Sequence, residues 1–421
     1  MEKVLQGKKI LIIGQVWPES RSSAAGKRML QLLAVFQAWG MDIYFGSTAQ
    51  KSPYSDELSS FDVQEVAVYL NDERMDTVLA DLQPDWVMYD RFMMEEQFGW
   101  RVTAQCPQAK TLLDTEDLHF LRYARQEQLK KGSGTLDAYL YGDRTKRELA
   151  SIMRCDLTLL ISSVEWELLV HQFHLPQDIL FVLPFLEENI SDDEQTKLLS
   201  FDEREGFVFI GNFIHEPNWQ TVLYLKTEIW PLLRQALPQV HLHIYGAYPS
   251  AKVLQLHNPK ERFLVHGRAE EALTVVEQAR VMLAPIRFGA GIKGKFVDGM
   301  RVGTPNVTTA VGMEAMATVE EWNGCVAEEV ADFIQKAAEL YQNKTLWAEK
   351  QQKGFDLLQT TYNKTQHITR FKSKIIELEE AVDQHRKNNF LLEVFKHHSA
   401  QSTKYMGLWI EEKNKHKKEA V

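Results

Sequence analysis

The segment from Leu283 to Thr309 carries the residue types that a site for phosphate and sugar requires. It reads LAPIRFGAGIKGKFVDGMRVGTPNVTT and runs from an apolar strand through a glycine loop into a helix that begins near Ile292 or Lys293. Gly289 and Gly291 allow positive φ and a close approach of a ligand to the backbone. The free amides and positive dipole end of the helix favour an anion. The loop therefore predicts an anion site.

Charged side chains of the same helix indicate the rest of the ligand. Lys293 and Lys295 add fixed positive charge, and Asp298 shares a helix face with Lys295 because three residues separate them. A carboxylate suits paired sugar hydroxyls and does not suit phosphate, so we expect a ligand with both parts, as a nucleotide sugar has. The alternative is an ordinary glycine-rich turn with a solvated Lys–Asp pair.

Strands and helices alternate along the chain and place this loop at the edge of a sheet. Val281–Ala284 reads as a buried strand that Pro285 ends, and residues 307–309 read as the next strand. Ligands of parallel sheets bind beyond the carboxyl ends of the strands, where this loop lies. Similar apolar runs recur in both halves of the chain, among them KKILIIG, MDIYFGS, WVMYD, TLLDTED, LTLLIS, GFVFIG, VHLHIYG and RFLVHG.

An acidic polar run over residues 187–205 separates two series of these units. We therefore predict an α/β fold of two doubly wound, Rossmann-like domains facing each other across a cleft, followed by C-terminal helices. The predicted units are residues 1–190, a linker over 191–205, residues 206–370, and a helical segment over 371–421 that packs back on the first domain.

Composition excludes several other classes of protein. The 421 residues carry a formal net charge of −10, which argues against a dedicated nucleic-acid binder. The three cysteines are far apart and lack C-x-x-C spacing, so neither a disulfide framework nor a zinc site is expected, and a cytoplasmic protein fits best. The N-terminus reads as a strand and not as a signal peptide, and no apolar run approaches a membrane span. No G-x-G-x-x-G follows the first strand, which disfavours a nicotinamide-dinucleotide domain.

The last 36 residues have a different charge from the rest of the chain. From Arg386 to Val421 there are eight Lys or Arg against four Glu, interleaved with Phe, Leu, Tyr and Trp side chains. This pattern predicts a terminal helix that docks on the first domain. The alternative is a peripheral contact with an anionic membrane surface.

With both halves in view, the chain resembles the GT-B-fold glycosyltransferases, and among them the retaining, family 4-like ("group 1") enzymes of bacterial polysaccharide synthesis. The resemblance covers about residues 8–370 and is carried by FVFIGNFIHEPN, APIRFGAGIKGKFVDGMRVGTPNVTT, LLDTEDLHFLRYAR and ISSVEWELL. It implies transfer of a sugar from a nucleotide-sugar donor on the second domain to a glycan or lipid-linked acceptor on the first. It implies no further cofactor and no metal.

The resemblance also implies roles for individual residues of the donor side. Asp298 takes the position of the second acid of the family's Glu-x7-Glu motif and would hold the ribose, while Lys293 would stabilise the leaving diphosphate. The first acid is absent, because its position is Ala290, and the usual basic pair of the first loop of the second domain is absent too. The other residues implied on the donor side are Gly211, Asn212, His266, Gly267, Gly289, Gly291, Ile292 and Lys295.

Three segments of the first half are expected to face the acceptor or the donor sugar. SSAAGKR opens a helix, WVMYDR ends a strand, and TEDLHFLR follows another; the residues expected on the acceptor side are Gly26, Lys27, Arg28, Asp90, Arg91, Asp117 and Arg122. His119 is predicted to face the donor sugar. For His119 the alternative is packing within the following helix, and for SSAAGKR it is a capped helix start with a solvent-facing basic pair. The acidic cluster with a single histidine lacks the spacing of a metal site.

Two other functions remain open at this stage. A non-catalytic nucleotide-sugar-binding or assembly subunit would account for Ala290 and for the missing basic pair. A sugar-nucleotide epimerase with the same fold would convert the donor without any acceptor.

Overall fold

The computed structural model describes residues 4–419, without the side chains of residues 398–402 and 416–419. It contains two parallel β-sheets. The first has seven strands in the order β3-β2-β1-β4-β5-β6-β7: β1 Lys9–Gly14, β2 Asp42–Ser47, β3 Gln64–Glu65, β4 Trp86–Asp90, β5 Lys110–Asp114, β6 Leu157–Leu160 and β7 Leu180–Val182. The second has six strands in the order β10-β9-β8-β11-β12-β13: β8 Phe207–Ile210, β9 Leu242–Tyr245, β10 Phe263–Gly267, β11 Val281–Ala284, β12 Asn306–Thr308 and β13 Gly324–Val326.

Helices cover both faces of the two sheets, as the alternation in the sequence predicts. In the first half they are α1 Ala24–Ala38, α2 Arg74–Leu82, α3 Phe92–Gln105, α4 His119–Lys131, α5 Asp137–Leu140, α6 Asp143–Ile152 and α7 Ser163–Glu167. Then follow α8 Asp192–Thr196, α9 Glu216–Tyr224, α10 Trp230–Ala236, α11 Ala251–Leu254, α12 Ala272–Gln278, α13 Gly294–Arg301, α14 Ala310–Met313, α15 Val330–Gln342, α16 Lys344–Thr360, α17 Lys364–Asn388 and α18 Leu391–Glu419.

Burial on both faces explains why the central strands are continuously apolar. In β1, Ile10, Leu11, Ile12 and Ile13 are all fully buried, and they alternate between two hydrophobic clusters on opposite sides of the sheet. Strands that helices cover on both faces lack the polar alternation of a half-exposed strand. The apolar runs that predict the strands therefore also predict the layered α/β architecture, which the structure confirms.

The chain crosses back to the first domain after α16. The amide of Glu187 donates to the carbonyl of Tyr362 at 2.9 Å, and that of Lys364 donates to Glu187 at 3.0 Å. Asn363 caps α17, so the crossing lies before residue 370, the predicted domain boundary. In α17 the ring of Phe371 is buried against Trp39, with centroids 5.2 Å apart.

The last helix packs on the first domain with one face only. Leu392 is buried in a hydrophobic cluster of that domain, and Gly407 lies against the side chain of Trp100 in α3. None of the helices among residues 4–419 is long and apolar enough to cross a membrane.

Each sheet reverses its strand order at one point, between β1 and β4 in the first and between β8 and β11 in the second. Such a switch point opens a crevice at the carboxyl ends of the strands. In the second sheet it brings the loop after β8, which begins at Gly211, beside the glycine loop after β11. In the first sheet, β4 ends at Asp90, beside Gln15 at the end of β1: the Gln15 amide donates to the Asp90 carboxylate at 3.1 Å.

Candidate functional site

One amide side chain joins the loop after β8 to the first turn of α13. Asn218 donates through Nδ2 to the carbonyl of Asn212 at 2.8 Å and accepts through Oδ1 from Lys295 Nζ at 2.7 Å. Gly211 leaves room for this side chain, because a Cβ at Gly211 would lie 2.7 Å from Asn218 Cγ. The carboxamide of Asn212 is occupied within its own loop, where it accepts from the amide of Ile214. Asn218 thus orients the Lys295 ammonium between the loop after β8 and the glycine loop after β11.

Lys293 and Lys295 form a positively charged pocket at the start of α13. Lys293 Nζ donates to the carbonyl of Gly291 at 2.8 Å, and Lys295 Nζ lies 4.2 Å from the centroid of the Phe209 ring. Burial lowers the pKa of Lys293 to about 8 and that of Lys295 to about 7. Within the part of the chain that the structure describes, no carboxylate forms an ion pair with either ammonium. Shielded cations without a counter-ion favour binding of an anion.

Asp298, one turn further along α13, faces the first domain. Its carboxylate pairs with Lys27 of α1 at 3.2 Å, and Lys27 also pairs with Glu187 at 2.8 Å. The alternative of a solvated Lys295–Asp298 pair does not hold, because Asp298 pairs with Lys27 of α1 and Lys295 bonds to Asn218 of α9. The sequence predicts Lys27 on the acceptor side. In the structure it lies beside Asp298, where it bridges the two domains.

Gly291 brings the glycine loop into contact with the first domain. Its φ is 63°, and a Cβ there would lie 3.0 Å from Cβ of Asp117 and 3.1 Å from Cγ2 of Ile161. Its amide, expected to face the diphosphate, donates to Oε1 of Glu165 in α7 at 2.9 Å. In this arrangement the close contact that requires a glycine at Gly291 is therefore made by side chains of the first domain.

The residues around Gly291 are held in the same way. The carbonyl of Gly289 accepts from Arg125 of α4 at 2.8 Å, and Arg125 pairs with Glu314 at 2.6 Å. Ala290, which the resemblance places at the first acid of the Glu-x7-Glu motif, packs against a hydrophobic cluster of the first domain. Ile292 is buried in the core of the second domain. Residues 289–292 therefore position the loop, and Lys293 is the exception.

His119 is the first residue of α4 and lies between a carboxylate and an aromatic ring. Its Nε2 is 3.5 Å from Oδ1 of Asp117, and its ring packs edge-on against Phe92 with centroids 5.5 Å apart. Burial lowers the pKa of His119 to about 3, so the imidazole is neutral at pH 7. Burial by itself would raise the pKa of Asp117, but Arg122, bonded to both carboxylate oxygens, and His119 lower it. His119 can therefore exchange hydrogen bonds with a sugar, but it carries no charge.

The carboxyl ends of β4 and β5 hold strained backbone and perturbed acids. Arg91 has φ 71° and ψ 155°, a region that non-glycine residues avoid, and Glu116 has φ 62°. Asp90 accepts from the side chain of Arg91 at 3.1 Å, while its Oδ1 is buried without a partner among the described residues. Burial and the nearby Asp114 raise the pKa of Glu116 to about 8. Strain and unsatisfied acids of this kind cluster at ligand sites.

The structure contradicts the predicted position of Arg28 and gives the local contacts of Gly26, His266 and Gly267. Arg28 does not face the acceptor side, because it is fully buried, with its guanidinium bonded to Asp114 and to the carbonyl of Leu183. Gly26 allows close packing of α1, since a Cβ there would lie 2.4 Å from the backbone of Glu19. The His266 ring is stacked with His243 and Tyr245, at centroid distances of 5.2 and 4.6 Å, while Gly267 turns the chain with φ 77°.

Sequence reasoning missed the residues that connect the loops. Asn218, Arg125 and Glu165 have no predicted role, although each contacts the donor-side loops. Glu165 belongs to a Ser-x-x-Glu pattern, which indicates a helix start, and its amide does donate to the capping hydroxyl Oγ of Ser162 at 3.3 Å. Its carboxylate instead accepts from the amide of Gly291. Among the described residues no group of three His, Cys, Asp or Glu side chains could hold a metal ion.

Comparison with solved structures finds the same pair of facing sheets in glycosyltransferases. Sucrose-phosphate synthase from Thermosynechococcus elongatus superposes with a TM-score of 0.64 at 16% identity, over 89% of this chain and 100% of that one. The fold is GT-B. Anabaena HepE, solved in complex with UDP and glucose, superposes with a TM-score of 0.60 at 12% identity, over 88% of this chain and 100% of that one.

A third similar GT-B structure is that of a variant of S. aureus TarM in complex with Fondaparinux, alpha-GlcNAc-glycerol and UDP. Its TM-score is 0.56 at 12% identity, and the match covers 71% of this chain and 57% of that one. Residues 204–343 match the family described as "Glycosyl transferases group 1". The resemblance to GT-B, group 1 glycosyltransferases that was drawn from the sequence is confirmed. The search of curated proteins found no match.

Proposed function

We propose that this GT-B protein is a glycosyltransferase that moves a sugar from a nucleotide-sugar donor to a glycan or lipid-linked acceptor, with retention of configuration and without a metal. Its setting would be cell-envelope polysaccharide synthesis on the cytoplasmic side of the membrane. The observation that carries the proposal is the pair Lys293 and Lys295, two shielded ammonium groups at the carboxyl edge of the second sheet that have no carboxylate partner among the described residues. A diphosphate supplies the missing negative charge.

The reaction requires stabilisation of the leaving group. As the glycosidic bond to the diphosphate breaks, the sugar becomes oxocarbenium-like and negative charge develops on the departing phosphate. Lys293 and Lys295 are already oriented, by the Gly291 carbonyl and by Asn218, so little reorganisation is needed. A bound anion would also favour the protonated form of each lysine. Asp298 would accept hydrogen bonds from the ribose hydroxyls after exchanging its contact with Lys27.

The first domain would bind the acceptor at the carboxyl ends of β4 and β5. The unpartnered Oδ1 of Asp90 can accept from an acceptor hydroxyl, and Arg91 and Glu116 lie beside it. The neutral His119 would hydrogen-bond the transferred sugar. Attack from the same face as the departing diphosphate retains the configuration and requires no protein nucleophile.

The ligands of similar structures suggest which nucleotide to test first. HepE is solved with UDP, with UDP and glucose, and with UDP-glucose, and the TarM variant is solved with UDP. Uridine diphosphate and its sugars are therefore the first donors to test, ahead of the GDP, ADP and CMP series.

The outward face of α18 supports a contact with the membrane. Tyr405, Met406, Leu408 and Trp409, here called the C-terminal aromatic patch, are exposed, with 64% of Tyr405 and 59% of Trp409 accessible. Lys413 lies over the Trp409 ring at 5.0 Å. Aromatic side chains beside lysines suit the headgroup region of an anionic bilayer. We propose peripheral binding there, which would bring the cleft near a lipid-linked acceptor.

A thermal-shift screen against nucleotides and their sugars, followed by product analysis with acceptors, tests the proposal. A ligand at 100 times its dissociation constant stabilises a protein by about 2.7 kcal/mol. A shift with one nucleotide series and transfer to an acceptor support the enzyme. A shift without turnover would favour a non-catalytic binding subunit, the second candidate, since Ala290 supplies no carboxylate to the donor sugar. Conversion of the donor without an acceptor would indicate an epimerase.

A further inference from the structure

One buried carboxylate joins the two domains at the glycine loop. Glu165 of α7 accepts through Oε1 from the amide of Leu118 at 2.8 Å and from the amide of Gly291 at 2.9 Å. Leu118 directly precedes α4 of the first domain, whereas Gly291 belongs to the second. The Glu165 side chain is fully buried, and its Oε2 has no partner among the described residues. Its hydrogen bonds therefore depend on one amide from each domain.

The Gly291 peptide is held on both sides. Its amide donates to Glu165, and its carbonyl accepts from Lys293 Nζ at 2.8 Å. Arg125 holds the same loop two residues earlier, through the Gly289 carbonyl. The peptide that orients a lysine of the positively charged pocket is thus itself oriented by a residue of the opposite domain.

We propose that Glu165 is a positioning residue that sets the geometry of the donor loop when the two domains are in contact. If the domains separate, the Gly291 amide no longer donates to Glu165. The loop to which Lys293 is bonded is then no longer held at Gly291. Contact between the domains and orientation of Lys293 are coupled through this one peptide. The inference rests on the proposed function only in treating residues 289–293 as the donor loop.

The chain offers a matched control for this role. Glu148 of α6 is also fully buried, and burial raises its pKa to about 8, as it does for Glu165. It accepts from the amides of His119 at 3.0 Å and Phe120 at 2.8 Å, both in the first domain. Glu148 therefore bonds to the same helix start as Glu165 but does not reach the second domain.

Hydrogen–deuterium exchange of the full chain without ligand tests the inference. In Glu165→Ala, we expect exchange about tenfold faster in residues 288–294 as well as in 116–120, because each segment loses the acceptor of one amide hydrogen bond. In Glu148→Ala, only the segment around residues 118–121 should change. Unchanged exchange of residues 288–294 in Glu165→Ala, or an equal increase in Glu148→Ala, would overturn the proposal. Glu165→Gln keeps an acceptor oxygen and should restore most of the protection; it also serves if the alanine variant does not fold.

A kinetic comparison separates positioning from general damage. With a UDP-sugar and an acceptor, Glu165→Ala should lower kcat about tenfold or more and change the affinity for UDP about twofold or less, because Glu165 acts through the loop. Equal losses in both would contradict positioning. The exchange experiment needs neither donor nor turnover, so an incorrect donor assignment would leave its result intact.

Discussion

The two edges of the cleft differ in how their charged side chains are paired. On the first domain every arginine of the cluster bonds to a carboxylate: Arg28 to Asp114, Arg91 to Asp90 and Arg122 to Asp117. On the second domain, within the part of the chain that the structure describes, Lys293 and Lys295 bond only to neutral oxygen atoms. Paired charges hold their own loops in place, whereas unpaired charges retain attraction for a ligand. The comparison supports the proposal that an anion binds at the second edge.

The paired side is expected to show the largest effect on stability. Arg28→Ala leaves Asp114 buried without its counter-charge, which typically costs about 3–5 kcal/mol. The expected result is early unfolding of the first domain in a thermal melt followed by circular dichroism. Arg122→Ala is the control: its pair with Asp117 is partly exposed, so the melt should change little. Similar losses in both variants would contradict the distinction between these pairs.

The unpaired side should show the reverse pattern. Lys295→Met removes a donor to the developing phosphate charge and should lower kcat about 10²- to 10³-fold. The ligand-free protein should be as stable as the wild type or more stable, since a shielded, uncompensated charge is removed. Lys252→Met, at an exposed position of α11, should change neither property. Turnover within a factor of two of wild type in Lys295→Met would remove this lysine from the mechanism.

Affinity for UDP should depend on pH through the same lysine. Burial lowers the pKa of Lys295 from 10.5 to about 7, so the free site loses positive charge as the pH rises above 7. Titration calorimetry should show affinity falling about tenfold or more between pH 7 and 9, with a much weaker trend in Lys295→Met. Stability of the ligand-free protein changes in the opposite direction: the unfolded chain binds the additional proton between about pH 7 and 10.5, so this lysine makes stability rise over that window. A pH-independent affinity in the wild type would contradict a protonated Lys295 as the anion's partner.

Variants of Asp298 test whether a carboxylate that is paired in the free protein can still bind the nucleotide. Asp298→Ala should weaken UDP binding about tenfold through loss of the ribose contact, without unfolding the chain. Lys27→Met breaks the same domain bridge but keeps the carboxylate, so it should preserve the affinity. If the two variants weaken binding equally, the role of Asp298 is to bridge the domains.

The smallest effect on stability is expected at the C-terminal aromatic patch. Replacing both Tyr405 and Trp409 by serine should change the free energy of unfolding by less than about 0.5 kcal/mol, because both side chains are exposed. Sedimentation with anionic lipid vesicles should nevertheless fall strongly, and the same vesicles without anionic lipid should bind little of either protein. Equal sedimentation of variant and wild type would contradict the membrane contact.

Much of the fold could be predicted because its signals are local. The strand predicted at Val281–Ala284 has those bounds in the structure, and the helix predicted near Ile292 or Lys293 begins at Gly294. Continuous apolar runs, glycines and prolines act on their immediate neighbours, so they can be interpreted without the tertiary structure. The two lysines of the positively charged pocket were also predicted, since they lie at a helix start after a glycine loop.

The partners of those residues could not be predicted. Lys295 bonds to a residue 77 positions away, Gly291 to one 126 away, and Lys27 to one 271 away. Arg28 shows the consequence: next to Lys27 in sequence it suggested a basic pair at a ligand site, yet its guanidinium is buried in the first domain. Adjacent residues on a helix point in different directions, and only packing decides which of them reaches the cleft.

The sequence by itself determined two parallel α/β domains, the glycine loop and the positive charge at the start of α13, because hydrophobic periodicity and turn chemistry are properties of short segments. Only the tertiary structure decided which charges are neutralised and which remain available. Pairing depends on contacts between strand ends that are far apart in the chain and meet at the two switch points. That difference separates the arginines that pair with carboxylates of the first domain from the lysines that we propose as the anion site.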